Sequence, residues 1–222
     1  MKPHEFWQHI HAPQSFPVDG PHIDFYPVTL DDGRQLRLPI RPLGDGQHAL
    51  ASLIVNQASF EVLGMLADDL AAKLKAFEPE IIVGLPTLGL TLASEVARRL
   101  GHSRYVPLGT SRKFWYLDEL SVSMSSITTQ QEKRLYLDPR MLPLLEGRRV
   151  VLVDDVISSG TSIIAGLSLL GASGIEPVAI CAAMLQSDRW REKLESLNPE
   201  WPARVRAAFS TPLLQKTVDG WV

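Results

Sequence analysis

Four consecutive aliphatic residues, Val150-Val151-Leu152-Val153, run directly into two carboxylates, Asp154 and Asp155, and then into a turn of hydroxyl residues around Gly160. An unbroken apolar run fits a strand covered on both faces of a parallel sheet; a half-exposed strand would alternate. A second run, Ile81-Ile82-Val83-Gly84-Leu85, carries the same implication. Apolar residues at three- and four-residue spacing lie before, between and after these runs. Phe60, Leu63, Leu66, Leu70, Leu74 and Phe77 predict a helix that ends before Pro79, and residues 90–100 predict another, closed by Gly101. Ile163, Ile164, Leu167 and Leu170 mark a third, stopped by Gly171 or Gly174. Residues 104–108 and 177–185 supply further strands. Alternating strands and helices predict an α/β fold, a parallel sheet with helices on both faces.

Residues 1–48 have another texture. They hold seven of the 16 Pro and five of the six His, which makes poor helix material. One hairpin signal stands out: strands at 24–30 and 35–40 around the turn Asp31-Asp32-Gly33. A small N-terminal β-ribbon is therefore expected. Bulk composition mainly excludes. A chain of 222 residues, 45% hydrophobic, makes one full domain with appended pieces. The single Cys rules out a disulfide framework, and Cys181, inside an apolar run, is expected to be a buried, inert thiol. A net charge of -3 weighs against a nucleic-acid partner. No apolar run approaches the ~20 residues of a bilayer span, and the first residues lack a signal-peptide core. The expected location is cytoplasmic, with no membrane partner.

In parallel sheets of this kind, ligands bind beyond the carboxyl ends of the strands. The turn after Val153 suits an anion there. Successive backbone N–H groups backed by a helix N-terminus favour phosphate, and Ser158, Ser159, Thr161 and Ser162 add hydroxyl donors. Gly160 permits close approach of backbone to ligand. The two Asp would repel a phosphate; they suit sugar hydroxyls or a Mg²⁺ carried in by a phosphorylated ligand. A plain helix cap explains one hydroxyl and one carboxylate and leaves the others without a purpose.

The thirteen residues 150–162 resemble the phosphoribosyl-diphosphate (PRPP) signature of the type I phosphoribosyltransferases. The resemblance implies that Asp154 and Asp155 contact the ribose 2′- and 3′-hydroxyls, while Ile157, Ser158, Ser159, Gly160, Thr161 and Ser162 hold the 5′-phosphate. The loop from Gly84 to Thr91 spaces its Gly residues like a Walker A loop, but Leu90 stands where that motif needs Lys. In the resembled family this loop binds diphosphate, a place occupied here by Pro86, Thr87, Leu88 and Gly89. After the strand at 104–108 come Arg112 and Lys113, either of which can neutralise diphosphate; a solvated basic pair is the alternative. The polar stretch from Ser121 to Arg134 is long for a connection and matches the interval of the family's mobile loop. Closure would keep water from an oxocarbenium-like centre. Lys133 and Arg134 would then reach the leaving group. The catalytic candidates are thus Arg112, Lys113, Lys133 and Arg134. No residue is identified as a general base, and no protein-held metal site is expected.

The resemblance divides the chain into an N-terminal arm and hood candidate at 1–56, a PRPP-binding core at 57–186 and a C-terminal extension at 187–222. It implies a Mg²⁺-dependent glycosyltransferase that joins a nitrogenous base, purine favoured, to PRPP and releases diphosphate. Its partners would be PRPP and a nucleobase, and its assembly a homodimer. A PRPP-binding regulator without catalysis, or hydrolysis of a phosphorylated sugar on the same cradle, are the competing readings.

Overall fold

The structure, a computed structural model, describes residues 2–124 and 133–222. The chain opens with β1 (Phe25–Thr29), β2 (Gln35–Pro42) and β3 (His48–Ala51), then α1 (Phe60–Leu74). Next come β4 (Ile81–Gly84), α2 (Gly89–Arg99) and β5 (Val106–Pro107), followed by the short β6 (Ser121–Ser123) and β7 (Arg134–Tyr136). β8 (Val150–Ile157), α3 (Thr161–Ala172), β9 (Ala179–Gln186), α4 (Arg189–Leu197), β10 (Val205–Thr211) and β11 (Leu213–Gln215) complete it.

Five of the described strands form a parallel sheet in the order β10-β9-β8-β4-β5. Its side chains alternate between two apolar layers. Val151 and Val153 enter the layer of α1 and α2, whereas Val150 and Leu152 enter that of α3 and α4. All four are completely buried, which explains why β8 begins without polar alternation. Each fully buried Val or Leu contributes roughly 1.5–3 kcal/mol. Cys181 lies wholly buried in the first layer, and burial pushes its thiol pKa far up, as expected of an inert thiol.

The strand order contains a reversal. From β4 the chain passes through α2 to β5 on one side; from β8 it passes through α3 to β9 on the other. A crevice between neighbouring loops opens where connections diverge in this way. The loops after β4 and β8 flank that point.

The N-terminal ribbon forms as expected, with Tyr26 opposite Leu38 and Val28 opposite Leu36. It belongs to a larger antiparallel sheet, ordered β1-β2-β3-β11. Val28, Leu36 and Leu38 press its inner face onto the α1/α2 layer. Two polar ties fix it to the core: Lys73 Nζ bridges Asp31 and Asp69 at 2.8 Å each, and Gln186 Nε2 donates to Ala51 O at 2.8 Å.

Four local expectations are corrected. Residues after 186 are no simple extension, since β10 pairs with β9 inside the core sheet and β11 closes the N-terminal one. β8 does not end at Val153 but runs through both carboxylates to Ile157. Of the 104–108 segment only Val106 and Pro107 pair as a strand, with Leu108 N adding one bond to Gly84 O at 2.9 Å; this is a sheet edge, and Pro107 has no N–H to give. Phe60 is 91% exposed: it opens α1 just after the cap, where Ser59 Oγ accepts from Val62 N, and the buried stripe starts at Val62. Among the described residues no helix is long and apolar enough to cross a membrane.

Candidate active site

Asp154 and Asp155 stand on β8 near its carboxyl end, with Asp154 in register with Ala182 of β9. Asp154 is only 6% exposed, and its Oδ1 accepts from the backbone N–H of Asp155 at 2.9 Å. Burial raises the pKa of both carboxyls, most strongly for Asp154, on which the charge of Asp155 also acts. Among the described residues no lysine or arginine pairs with either group. A buried carboxyl beside a half-buried one, with no cation, has remaining lone pairs that hydrogen-bond donors or a cation from a ligand can meet.

The loop after β4 is stitched to the same place. Leu85 N donates to Val153 O at 2.8 Å, extending the ladder beyond Gly84. The Pro86–Thr87 peptide is cis. Gly89 then opens α2 in contact with Asp154: a Cβ there would lie 2.8 Å from both the Cα and Oδ1 of Asp154. No side chain caps α2, so its first N–H groups face the loop opening.

The turn after β8 has the second uncapped helix start. Gly160 adopts φ +77°, and no side chain caps α3. Ser159 and Thr161 hydroxyls lie 3.0 Å apart. Asp154 and residues 156–163 line a cavity of about 100 Å³, the size of a small anion. Aligned helix dipoles and open N–H groups favour negative charge there. The predicted residues Ile157, Ser158, Ser159, Gly160, Thr161 and Ser162 all line this cavity with Asp154, while Pro86–Gly89 lie across the strand reversal.

The basic candidates are placed less uniformly. Arg112 is exposed and pairs with Asp118 at 3.0 Å; Lys113 is exposed beside it. Trp115 of the same loop is committed elsewhere, its Nε1 donating to Asp138 at 3.2 Å and its face covered by Arg140 at 4.3 Å. Arg140 holds the Asp138 carboxyl down at about 2. Arg134, on β7, donates to Ser121 Oγ on β6 at 2.8 Å, and Lys133 is exposed at the end of that ribbon. The middle of the predicted mobile stretch, residues 125–132, lies outside the described residues.

One residue at the site, Arg189, was not expected from the sequence, and a tail tryptophan expected to pack in the core, Trp190, does so beside it. Arg189, the first residue of α4, donates to Ser158 Oγ at 2.8 Å and to Ser187 Oγ at 3.2 Å. Trp190 is buried behind the turn, its Cβ 3.4 Å from where a Cβ on Gly160 would sit. The signal was topological: β9 neighbours β8 in parallel, so the start of α4 emerges beside the turn that leads from β8 into α3.

A family model described as "Phosphoribosyl transferase domain" matches residues 52–209, from just after β3 into β10. The chain belongs to this family. The match reaches beyond residue 186 and takes in the last core strand. Among curated proteins, a bifunctional protein PyrR from Streptomyces coelicolor is 31% identical over 70% of this chain and 79% of its own length. A hypoxanthine/guanine phosphoribosyltransferase from Methanosarcina mazei is 26% identical over 72% of this chain and 76% of its own. Among solved structures, Giardia lamblia APRTase complexed with 9-deazaadenine superposes with a TM-score of 0.58 at 20% identity, covering 71% of this chain and 83% of that one. The fold is that of the type I phosphoribosyltransferases, as the resemblance at 150–162 implied, and the family is one of glycosyl-transferring enzymes.

Proposed function

We propose that this chain transfers the phosphoribosyl group of PRPP to a nitrogenous base, a purine by preference, and releases diphosphate. The observation that carries the reading is the juxtaposition of a carboxyl pair, buried Asp154 and half-buried Asp155, unpaired with any cation among the described residues, with the open helix start at Gly160. A carboxyl pair of this kind is satisfied by vicinal sugar hydroxyls. The adjoining cavity takes the 5′-phosphate, and the Pro86–Gly89 loop, through the N–H groups of Thr87, Leu88 and Gly89, takes the diphosphate. Family membership and a purine-enzyme neighbour support this assignment.

In this reading Asp154 and Asp155 accept hydrogen bonds from the 2′- and 3′-hydroxyls and fix the ribose ring. Ile157–Ser162 anchor its far end, so that the anomeric carbon faces the loop after β4. Arg112, Lys113, Lys133 and Arg134 balance charge on the departing diphosphate. Mg²⁺ supplies charge neutralisation when it arrives with PRPP; the desolvated Asp155 carboxyl fits that cation, and a resident protein cage is not needed. The N-terminal sheet, tied to the carboxyl end of β9 by Gln186, is the part we assign to the base.

Incubation with PRPP, Mg²⁺ and a panel of purine and pyrimidine bases, following diphosphate, tests the proposal. Release that depends on one base supports it. Release without any base would make the chain a hydrolase, and PRPP binding without turnover would make it a regulator.

A further inference from the structure

The phosphate cradle has one conspicuous electrostatic gap. From Asp154 to Ile163 the only charged side chains are the two carboxylates. A sugar phosphate carries about -1.5 to -2 at neutral pH. Backbone N–H groups and hydroxyls supply only partial positive charges, and the neighbouring carboxylates oppose the ligand. A full cation is missing from the loop itself.

Arg189 brings a cation to the rim of that cradle, against one of its lining residues. Its guanidinium lies 2.8 Å from Ser158 Oγ, a hydroxyl of the cradle, and is steadied from the other side by Ser187 Oγ at 3.2 Å. Among the described residues it has no carboxylate partner, unlike Arg112, Arg140, Arg148 and Arg204, each of which pairs with an acid. Five N–H donors in a planar fork are matched here with two hydroxyl oxygens, which leaves donors open beside the cavity. The residue is exposed, so its charge is not being used to hold the core together. Its neighbour Trp190 is fully packed behind Gly160, which sets the height of Arg189 relative to the turn. The first two residues of α4 therefore bracket the cradle, one as backing and one as charge.

We propose that Arg189 is a substrate-binding residue: it contributes a charge-assisted hydrogen bond to the 5′-phosphate monoester and selects phosphorylated over unphosphorylated ribose. This rests on the reading of the 157–162 turn as the monoester site.

The test measures binding of PRPP, ribose 5-phosphate and inorganic diphosphate by calorimetry to the unsubstituted chain, Arg189→Gln and Arg189→Lys. Loss of one charge-assisted contact should weaken PRPP and ribose 5-phosphate alike, by about tenfold to a hundredfold in Arg189→Gln. Arg189→Lys should recover part of that loss, and diphosphate binding should not change. The salt dependence of ribose 5-phosphate binding should also become shallower in Arg189→Gln, which a merely structural role for the side chain would not produce. Ribose 5-phosphate affinity within twofold of the unsubstituted chain in Arg189→Gln overturns this inference alone. Failure of the unsubstituted chain to bind PRPP or ribose 5-phosphate overturns the proposed function and this inference together. Because Arg189 is exposed, both variants are expected to melt at the unsubstituted temperature; a variant that does not is replaced by Arg189→Met, which keeps the length of the side chain without its charge and should lose ribose 5-phosphate affinity at least tenfold, affinity within twofold of the unsubstituted chain overturning the inference.

Discussion

Gly89 touches Asp154 through the space where any other residue would carry its side chain. A Cβ on Gly89 would stand 2.8 Å from Asp154 Cα and equally close to Oδ1. One of those atoms is backbone in the central strand of the core sheet, so the contact cannot be relieved by turning a side chain. The start of α2 and the carboxylate strand are thereby held at a fixed separation, with the strand-order reversal between them.

Gly89→Ala should accordingly damage both stability and binding. Forcing a methyl group into a closed contact typically costs about 1–3 kcal/mol. Urea unfolding should show a loss of that size, and PRPP affinity should fall at least tenfold. An alanine variant with unaltered midpoint and affinity would mean that the two loops are free to separate.

Asp154→Asn separates binding from folding. Burial raises the folded-state pKa of Asp154 above the ordinary 3.8, so the folded chain holds this proton more tightly than the unfolded chain does. That stabilisation is complete below 3.8 and is lost as pH rises through the raised folded value. Asn does not ionise. Relative to the unsubstituted chain, the ligand-free variant should therefore gain in melting temperature as pH rises above 3.8. PRPP binding should weaken, most of all in the double variant with Asp155→Asn. Melting curves that stay parallel across that range would remove the buried charge from the account of the site.

How far the sequence could be read depends on whether each signal was local. Val150–Val153, Ile81–Leu85 and the hydroxyl turn at 158–162 declare themselves within a few residues, and they lie where strand-and-loop logic puts them. The hairpin at Asp31–Gly33 is local too. β10 is not: Val205, Ala208 and Phe209 are buried without a clean alternation, and their partner in β9 is distant in sequence. β11 depends on β3 at the other end of the chain. Ending β8 at its first charge suits an exposed strand, but Asp154 is buried in the ladder and the backbone continues past it. Arg189 was missed because its signal is equally non-local; only the adjacency of β8 and β9 brings it to Ser158.

Asp138 should behave as a depressed carboxyl. Arg140 and the backbone N–H of Arg140 hold it at about 2, with Trp115 Nε1 as a further donor. A group of this kind stabilises the fold above its unfolded value of 3.8 and loses that contribution as pH falls through about 2. Asp138→Asn should cost about 1–2 kcal/mol at neutral pH, the range for charge-assisted bonds screened by an exposed partner. The difference should close as acid is approached. Trp115 fluorescence provides a local readout, since the indole loses its charged acceptor.

The end of the chain should matter to its beginning. β11 pairs with β3 in register, Leu213 opposite Leu50 and Gln215 opposite His48, and Leu214 is completely buried. His22 and Trp221 exchange backbone bonds at 2.7 and 2.8 Å, which ties the N-terminal arm to the last residues. Deleting residues 213–222 would expose the edge of β3 and uncover apolar surface on the N-terminal sheet. Burial of Leu214 alone is worth roughly 1.5–3 kcal/mol. The truncated chain should melt lower and bind a hydrophobic dye, and amides of β3 should lose hydrogen-exchange protection while those of β8 and β9 keep theirs. Uniform loss of protection across both sheets would mean that the two fold as one unit, and unchanged protection in β3 would mean that β11 contributes nothing to it.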